Sequence, residues 1–254
     1  MSEVVHASRH GGRLTLTIDR PESRNALNAD VIGALHEALY RVRSDETIRA
    51  VVLTGSGDRA FCAGADLGRD AFAFDYATPT SAYADLLRTA GTLNVPLLAR
   101  VNGACMAGGM GLLAICDLAI SAPHAIFGLP EAKLGLFPMQ VFAVLQGQLP
   151  LRCLAQLCLT GEPIDAARAR EIGLVNEVAE DLDAALERLL SRLFANSPTA
   201  LRRGIYSMKA MRSMSFEEAI AFGEGQIGLL ALTQDAREGV AAFKEKRKPQ
   251  WTGK

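Results

Sequence analysis

The segment PLLARVNGACMAGGMGLLAIC, residues 96–116, contains the pattern that decides the fold. Pro96–Val101 is an apolar run typical of a buried strand, Asn102-Gly103 predicts a turn, and Ala107–Cys116 is predicted to be a short buried helix. The first N–H groups of a helix lack intrahelical partners and lie at the positive end of its dipole. Because this helix opens on Ala107-Gly108-Gly109, a ligand can approach those N–H groups closely.

A second glycine-rich stretch, Phe61-Cys62-Ala63-Gly64-Ala65-Asp66, comes after another apolar run at Ala50–Thr54. Gly64 permits unusual backbone angles, and the small side chain of Ala65 leaves its N–H uncovered. Two such N–H donors from separate loops, aimed at one point, form an oxyanion hole. Each stretch alone is also compatible with a simpler structure, either a strand-to-loop turn capped by Asp66 or close helix–strand packing. It is the pair of stretches that indicates a catalytic site.

A carboxylate in apolar surroundings follows in Phe127-Gly128-Leu129-Pro130-Glu131. Burial of Glu131 would disfavour its charged form and raise its pKa, which suits a general acid or base. The alternative is an ordinary surface glutamate after a turn. Together with the two glycine-rich stretches, Glu131 predicts proton transfer beside a stabilised enolate.

Strands and helices alternate along the first two thirds of the chain. A strand pair joined at Gly11-Gly12 precedes a helix capped by Asn28, with Val31, Leu35, Leu39 and Val42 at helical spacing. The two paired strands are predicted at Val4–Arg9 and Arg13–Asp19. The other predicted strands are Leu118–Ser121, Ala125–Phe127 and Leu174–Val178, and the other predicted helices are Gln148–Leu159 and Ile164–Ile172. This irregular alternation predicts an α/β fold of packed layers.

Strand patterns disappear after Asp181, where only helical patterns remain. Leucines from Leu182 to Leu193 mark one amphipathic helix, and three more helices are predicted to begin at Ser197, at the Ser215/Glu218 capping box and at Thr233. We therefore expect a core in residues 1–195 and a helical region in residues 196–254, which packs on its own core or on a neighbouring subunit. The weakly periodic stretch Gly68–Tyr83 is predicted to be a mobile flap.

Composition excludes several classes of protein. The formal net charge is -1, so nothing directs the chain as a whole to nucleic acid or to an anionic membrane surface. The sequence has no apolar run of membrane-spanning length and no signal peptide, and five cysteines without C-x-x-C spacing indicate reduced core residues in a cytoplasmic protein.

Gly55-Ser56-Gly57-Asp58-Arg59-Ala60 matches a dinucleotide fingerprint, but no helix start follows it. No cluster has metal-ligand spacing.

Motifs along nearly the whole chain resemble the enoyl-CoA hydratase/isomerase (crotonase) family. The residues that carry this resemblance are Ile18–Pro21, Asn25–Asn28, Val52–Gly55, Phe61–Leu67, Val101–Gly109, Cys116-Asp117, Phe127–Leu136, Leu159–Gly161, Glu238-Gly239 and Phe243–Lys248. The resemblance implies a crotonase-like spiral of strand-strand-helix units, with a C-terminal helical region that builds trimers, often paired into hexamers. It also implies an acyl-CoA thioester as substrate, with no separate cofactor.

Site residues follow from the same resemblance. The oxyanion hole would be the backbone N–H groups of Ala65 and Gly108, with Glu131 as the acid/base. The resemblance further implies a coenzyme A groove lined by Arg24, Ala26, Ala63, Asp66 and Leu67, and nucleotide contacts from Phe243 and Lys246 of a neighbouring subunit.

The chain departs from the hydratase pattern at one position. Hydratases of this family carry a second glutamate where this sequence has Gly111, and their following glycine-rich turn is changed here to Phe137–Gln140. Hydration needs a positioned water, whereas moving a double bond needs one base that removes a proton and returns it elsewhere. The pattern therefore favours enoyl-CoA double-bond isomerisation, similar to the Δ3,Δ2-enoyl-CoA isomerases.

Three alternatives remain open at the sequence level. Hydration survives if Asp70, Asp75 or Asp85 supplies the second acid. The chain is otherwise a non-catalytic acyl-CoA-binding protein, which Gly111 favours and Glu131 opposes. A purely structural trimer module fits the helical tail but leaves both glycine-rich stretches unexplained.

Overall fold

Two sheets organise the computed structural model, which describes residues 4–68 and 77–254. The strands are β1 (Val5–His10), β2 (Arg13–Ile18), β3 (Ala50–Gly55), β4 (Ala60–Cys62), β5 (Leu97–Val101), β6 (Ala104–Met106), β7 (Leu118–Ser121), β8 (Ile126–Gly128), β9 (Ile164–Asp165) and β10 (Glu177–Val178). The larger sheet has the order β1-β2-β3-β5-β7-β10, parallel except for the β1–β2 hairpin. The smaller has the order β4-β6-β8-β9, with only β9 antiparallel.

Helices connect and cover the sheets. They are α1 (Ala29–Val42), α2 (Ala82–Gly91), α3 (Gly108–Ala114), α4 (Met139–Leu145), α5 (Leu151–Thr160), α6 (Ala166–Glu171), α7 (Leu182–Phe194), α8 (Pro198–Ala210), α9 (Phe216–Ala231) and α10 (Gln234–Glu245). Short 3-10 turns occupy Pro21–Ser23, Pro130–Leu134 and Met211–Ser213. Within the described ranges, no helix is both long enough and apolar enough to cross a membrane.

The two sheets are built from a repeated unit. Strands β3, β5 and β7 of the larger sheet are each followed by a strand of the smaller sheet, β4, β6 and β8. The next described helix after each pair is α2, α3 or α4. This is the strand-strand-helix spiral that the resemblance implied, and the predicted α/β class is confirmed.

The core lies on both faces of the larger sheet. On one face, α1 presents Val31, Leu35, Leu39 and Val42 to a continuous cluster that also contains the fully buried Phe61 and Phe127. On the other face, Leu182, Leu186 and Leu190 of α7 pack against Val52, Leu98 and Ile120. The apolar spacing read from the sequence therefore marks the buried face of each helix.

Helix starts agree with the predicted caps. Asn28, Ser197 and Thr233 accept hydrogen bonds from the first turns of α1, α8 and α10, and Ser215 forms the capping box with Glu218 at α9.

Several predicted boundaries were wrong, and the predicted strand Leu174–Val178 is reduced to Glu177–Val178. The predicted helix Gln148–Leu159 begins only after Pro150, the N-cap of α5, because a proline disfavours helical backbone in the residue before it. The predicted helix Ile164–Ile172 opens with two residues of β9, and α6 follows with Asp165 as its cap. The predicted flap Gly68–Tyr83 falls partly on residues 69–76, outside the described residues, and at its end Tyr83 belongs to α2.

Candidate active site

The carboxyl ends of three neighbouring parallel strands lie at one edge of the smaller sheet. Strand β6 is central, with Cys62↔Cys105 pairing it to β4 and Met106↔Gly128 pairing it to β8. Each strand is followed within a few residues by a predicted catalytic residue, namely Ala65 after β4, Gly108 after β6 and Glu131 after β8. Because parallel strands end at the same edge, the fold brings these three residues to the same edge of the smaller sheet.

The Ala65 and Gly108 amides lie close together. Leu27 donates its N–H to the Gly64 oxygen at 2.8 Å and accepts from the Asp66 N–H at 2.9 Å, so the intervening Ala65 N–H points away from the Leu27 backbone. A Cβ added to Gly108 would lie 3.8 Å from the Ala65 nitrogen, and one added to Gly64 would lie 3.3 Å from the Gly108 nitrogen. The two amides are therefore close neighbours.

Both amides are free to donate to a ligand. Gly108 is the first residue of α3, so its N–H has no intrahelical acceptor. Within residues 4–68 and 77–254, neither Gly108 nor Ala65 donates its N–H to another group of the chain. Ala65 is exposed and Gly108 is half-buried, so a ligand can reach both.

Ala107 holds the turn before α3 in an unusual conformation. Its φ of 50° and ψ of -122° are rare for a residue with a side chain. The Ala107 N–H is anchored on the Gly128 oxygen at 2.9 Å, which ties the turn to β8. Strain of this kind persists only where the surroundings enforce it, and it is concentrated at functional sites.

Glu131 is a half-buried carboxylate with spare hydrogen-bonding capacity. It lies in the 3-10 turn Pro130–Leu134, next to the fully buried Leu129. Its Oε2 atom is buried and has no hydrogen-bond partner in the described part of the chain. Burial raises the pKa of Glu131, opposed in part by a contact with its own backbone N–H. A buried carboxylate with a free oxygen is suited to take up and release a proton.

Sequence reasoning missed Tyr83, a residue of α2. Its hydroxyl donates to the Gly108 carbonyl oxygen at 2.6 Å. The same hydroxyl lies over Gly111, where an added Cβ would be only 2.0 Å from it. No local pattern singled out Tyr83, since it lies in a stretch of weak periodicity.

Of the three acids that could replace the second glutamate, Asp85 alone lies among the described residues. Asp70 and Asp75 lie outside the described residues. Asp85, on α2, forms an ion pair with Arg88 at 2.7 Å and accepts a hydrogen bond from Thr80. Among the described residues, no group of three or more His, Cys, Asp or Glu side chains could hold a metal ion.

The five residues expected to line a coenzyme A groove meet beside the Ala65 amide. Ala63 donates its N–H to the Arg24 oxygen at 3.1 Å. The Arg20 guanidinium donates to the Ala26 carbonyl oxygen at 2.8 Å. It also forms an ion pair with the Asp66 carboxylate, at 2.8 Å. Leu67, which follows Asp66 in the chain, is 60% exposed. The structure thus brings this group together, although its contact with a ligand stays a prediction.

Phe243 and Lys246 lie at the end of the chain's last helix. Phe243 is in the last turn of α10 and Lys246 is its C-cap; α10 packs against α8 and α9, and the side chain of Phe243 is 86% exposed. Their expected contact with the nucleotide from a neighbouring subunit stays a prediction.

Comparisons with known proteins point the same way as the geometry. A family model described as enoyl-CoA hydratase/isomerase matches residues 9–254. The chain is 38% identical to the enoyl-CoA hydratase EchA19 of Mycobacterium tuberculosis, over 96% of this chain and 94% of the relative. It is 34% identical to the 2,3-dehydroadipyl-CoA hydratase of Escherichia coli, over 100% of both chains. A crystal structure of an enoyl-CoA hydratase from Mycobacterium smegmatis matches with a TM-score of 0.90 and 32% identity, over 98% of each chain.

Proposed function

Because this chain belongs to the enoyl-CoA hydratase/isomerase (crotonase) family, we propose that it binds an acyl-CoA thioester where β4, β6 and β8 end and forms the enolate there. The observations that carry this proposal are the adjacent, unpartnered amides of Ala65 and Gly108, and the free carboxylate oxygen of Glu131, which follows the neighbouring strand β8.

The two amides stabilise the charge that proton loss creates. The thioester oxygen accepts from the Ala65 and Gly108 N–H groups, and negative charge grows on that oxygen as the α-proton leaves. Donors that are already in place need no reorganisation at that moment, and one such donor contributes roughly 10²–10³-fold in rate. The strained Ala107 turn and the β4–β6 pairing keep the donors in position.

Glu131 moves the proton. Its carboxylate removes a proton from the α-carbon, and the electron pair becomes part of the enolate. The raised pKa of Glu131 brings its proton affinity closer to that of the carbon acid, which makes the transfer less unfavourable.

Double-bond isomerisation is the reaction that this single carboxylate supports best. The α-proton of a 3-enoyl-CoA passes to Glu131 and returns to the γ-carbon, so the double bond moves to the 2-position with no water consumed. The absence of a side chain at Gly111, and the Tyr83 hydroxyl in the space above it, support one proton-carrying carboxylate rather than two.

Hydration of 2-enoyl-CoA is the second candidate, and the names of the relatives favour it. It requires a second group that holds the attacking water, since two positioned partners account for much of the rate of such a step. Asp70, Asp75 and Asp85 stay candidates for that role.

Turnover of two substrates separates these reactions. We expect the protein to convert 3-enoyl-CoA to 2-enoyl-CoA faster than it hydrates 2-enoyl-CoA, and Glu131→Gln to abolish the conversion while thioester binding persists. Hydration of 2-enoyl-CoA that is undiminished in Glu131→Gln would contradict both the reaction and the role of Glu131. Tight acyl-CoA binding without turnover would instead identify a non-catalytic binding protein.

We also propose that the chain assembles as a trimer or a pair of trimers through residues 196–254. The support is a set of exposed apolar side chains on and just after α9, namely Phe216, Ile220, Ile227, Leu229 and Leu232. Isolated exposed apolar residues are ordinary, but a set concentrated on one element indicates an interface.

A further inference from the structure

Tyr83 is a polar residue of the site that the proposed proton transfer does not use. It lies in the first turn of α2, and its ring reaches Gly111 in the middle of α3. A Cβ at position 111 would lie 2.0 Å from the Tyr83 hydroxyl oxygen and 3.2 Å from Cγ2 of Val141. Glycine destabilises a helix interior relative to alanine, so the missing side chain needs a reason. The Tyr83 hydroxyl supplies it, because it occupies the space.

The Tyr83 hydroxyl is hydrogen-bonded to Gly108, the residue whose N–H is the second proposed oxyanion donor. Tyr83 Oη donates to the carbonyl oxygen of Gly108 at 2.6 Å. The turn before α3 has no side-chain cap, and its Ala107 has a positive φ of 50°. In the described ranges, Tyr83 is the one side chain that hydrogen-bonds the backbone of residues 107–109. The orientation of this strained turn therefore depends on few contacts, and Tyr83 makes one of them.

The phenol stays a donor throughout the working pH range. Burial raises the pKa of Tyr83 well above its ordinary value, and nearby Cys62, Cys105 and Glu131 raise it further. A phenolate could not donate to the Gly108 carbonyl, whereas the neutral hydroxyl can.

We propose that Tyr83 is a positioning residue for the second oxyanion donor: its hydroxyl, lodged over Gly111, holds the Gly108 turn in the orientation that presents the Gly108 N–H to the thioester oxygen. This inference rests on the proposed function. It also explains Gly111, since any larger residue there would push the hydroxyl away from Gly108.

Tyr83→Phe tests the hydroxyl and keeps the ring. We expect kcat for enoyl-CoA turnover to fall roughly tenfold to a hundredfold, because a misdirected donor loses most of its effect on the transition state. KM should change little, since the charge on the oxygen develops only as the proton leaves. Tyr40→Phe is the matched control on the exposed face of α1, 63% exposed, and should leave kcat unchanged.

Gly111→Ala tests the same contact from the other side. Its methyl group would displace the hydroxyl, so we expect a loss of kcat similar to that of Tyr83→Phe. In the Tyr83→Phe background the alanine should cost little more, because the interaction is already absent. Additive losses in the double variant would contradict a shared mechanism.

Infrared spectroscopy tests the position of the Gly108 N–H without depending on turnover. Infrared spectra of a bound saturated acyl-CoA with an isotope-labelled thioester carbonyl report hydrogen bonding to that oxygen as a lowered stretching frequency. We expect the wild type and Tyr40→Phe to lower it equally, and Tyr83→Phe to lose part of the shift. Unchanged frequency and kcat in Tyr83→Phe would overturn the inference alone, whereas a wild type that neither binds nor shifts the carbonyl would overturn the proposed function as well.

Discussion

At Gly64 two loops come so close that one methyl group does not fit. Gly64 has a φ of +96°, and an added Cβ would lie 2.7 Å from the Cβ of Ala107. We expect Gly64→Ala to separate the Ala65 and Gly108 amides and reduce turnover by at least about 10²-fold, the effect of losing one donor.

Gly57→Ala is the matched control for Gly64→Ala. Gly57 also has a positive φ, +73°, but nothing lies within 4 Å of an added Cβ. It should therefore lose about 1 kcal/mol of stability through backbone strain and keep its turnover. Equal turnover in the two variants, measured beside their urea unfolding curves, would argue against a contact between the loops.

Ionised Glu131 should destabilise the fold at neutral pH. Burial raises its pKa, so the native state binds this proton more tightly than the unfolded chain does. Stability attributable to this group is therefore lower above the raised pKa and recovers as the pH falls through it. We expect Glu131→Gln to raise the free energy of unfolding at neutral pH, with the difference vanishing below about pH 4.

Urea unfolding at neutral and acid pH measures this effect. Glu180→Gln, at an exposed position, is the control and should change stability little at either pH. A Glu131→Gln variant that is less stable than the wild type at neutral pH would show that the carboxylate is satisfied in the native state.

The sequence and its family resemblance predict most of the candidate site but not all of it. Ala65, Gly108 and Glu131 each follow a buried strand closely, so strand adjacency was enough to bring them together. Tyr83 reaches Gly111 through the packing of a separate helix, and no spacing rule connects the two positions. The resemblance marks Gly111 as the position of an absent carboxylate, but the sequence does not show that the Tyr83 hydroxyl fills that space.

At the level of elements, long periodic segments were predicted well and short ones poorly. Helix α7 carries an apolar stripe, and helices α8 to α10 carry capping residues, which the sequence displays directly. Strands β4 and β6 have three residues each, too few to show a period, so the sequence indicates only glycine-rich stretches there. Helix α4 follows Pro138 without a side-chain cap, so it had no start signal.

A buried ion pair fastens α8 to the core. Lys209 Nζ lies 3.4 Å from Asp117 Oδ1 and donates to the Ala90 oxygen at 3.0 Å, with both charged side chains less than a tenth exposed. We expect Lys209→Met to destabilise the protein by about 3 kcal/mol, because it leaves Asp117 buried without its partner.

The double variant Lys209→Met/Asp117→Asn is the comparison for that prediction. It should be more stable than Lys209→Met alone, because it removes the buried charge and keeps a side-chain oxygen that can accept from the Leu97 N–H, the bond that Asp117 makes at 2.9 Å. Urea unfolding measures both variants, and a double variant that is less stable than Lys209→Met would show that burial of Asp117 is not the cause.

For the whole molecule, the repetition of strand, strand and helix fixes where the site lies. Each repeat sends one strand to the smaller sheet, and the three strand ends together provide both amides and the carboxylate. The sequence indicated the layers through its alternating patterns, but not which strands formed which sheet. The boundary expected between residues 195 and 196 stays a prediction, although α7 packs on the larger sheet and so belongs with the core.

Assembly is the prediction at this scale. We expect sedimentation to give a mass three or six times the 27.1 kDa of the chain. Ile227→Arg, which places a charge among the exposed apolar residues of α9, should weaken the assembly, whereas Tyr40→Arg on α1 should not. A monomer at micromolar concentration would contradict the proposed role of residues 196–254.

A crystal structure with a bound, unreactive acyl-CoA tests the central claim most directly. We predict that the thioester oxygen lies about 2.7–3.1 Å from both the Ala65 and the Gly108 nitrogen, with a Glu131 carboxylate oxygen facing the α-carbon. A thioester oxygen bound away from either amide, or an α-carbon beyond the reach of Glu131, would contradict it.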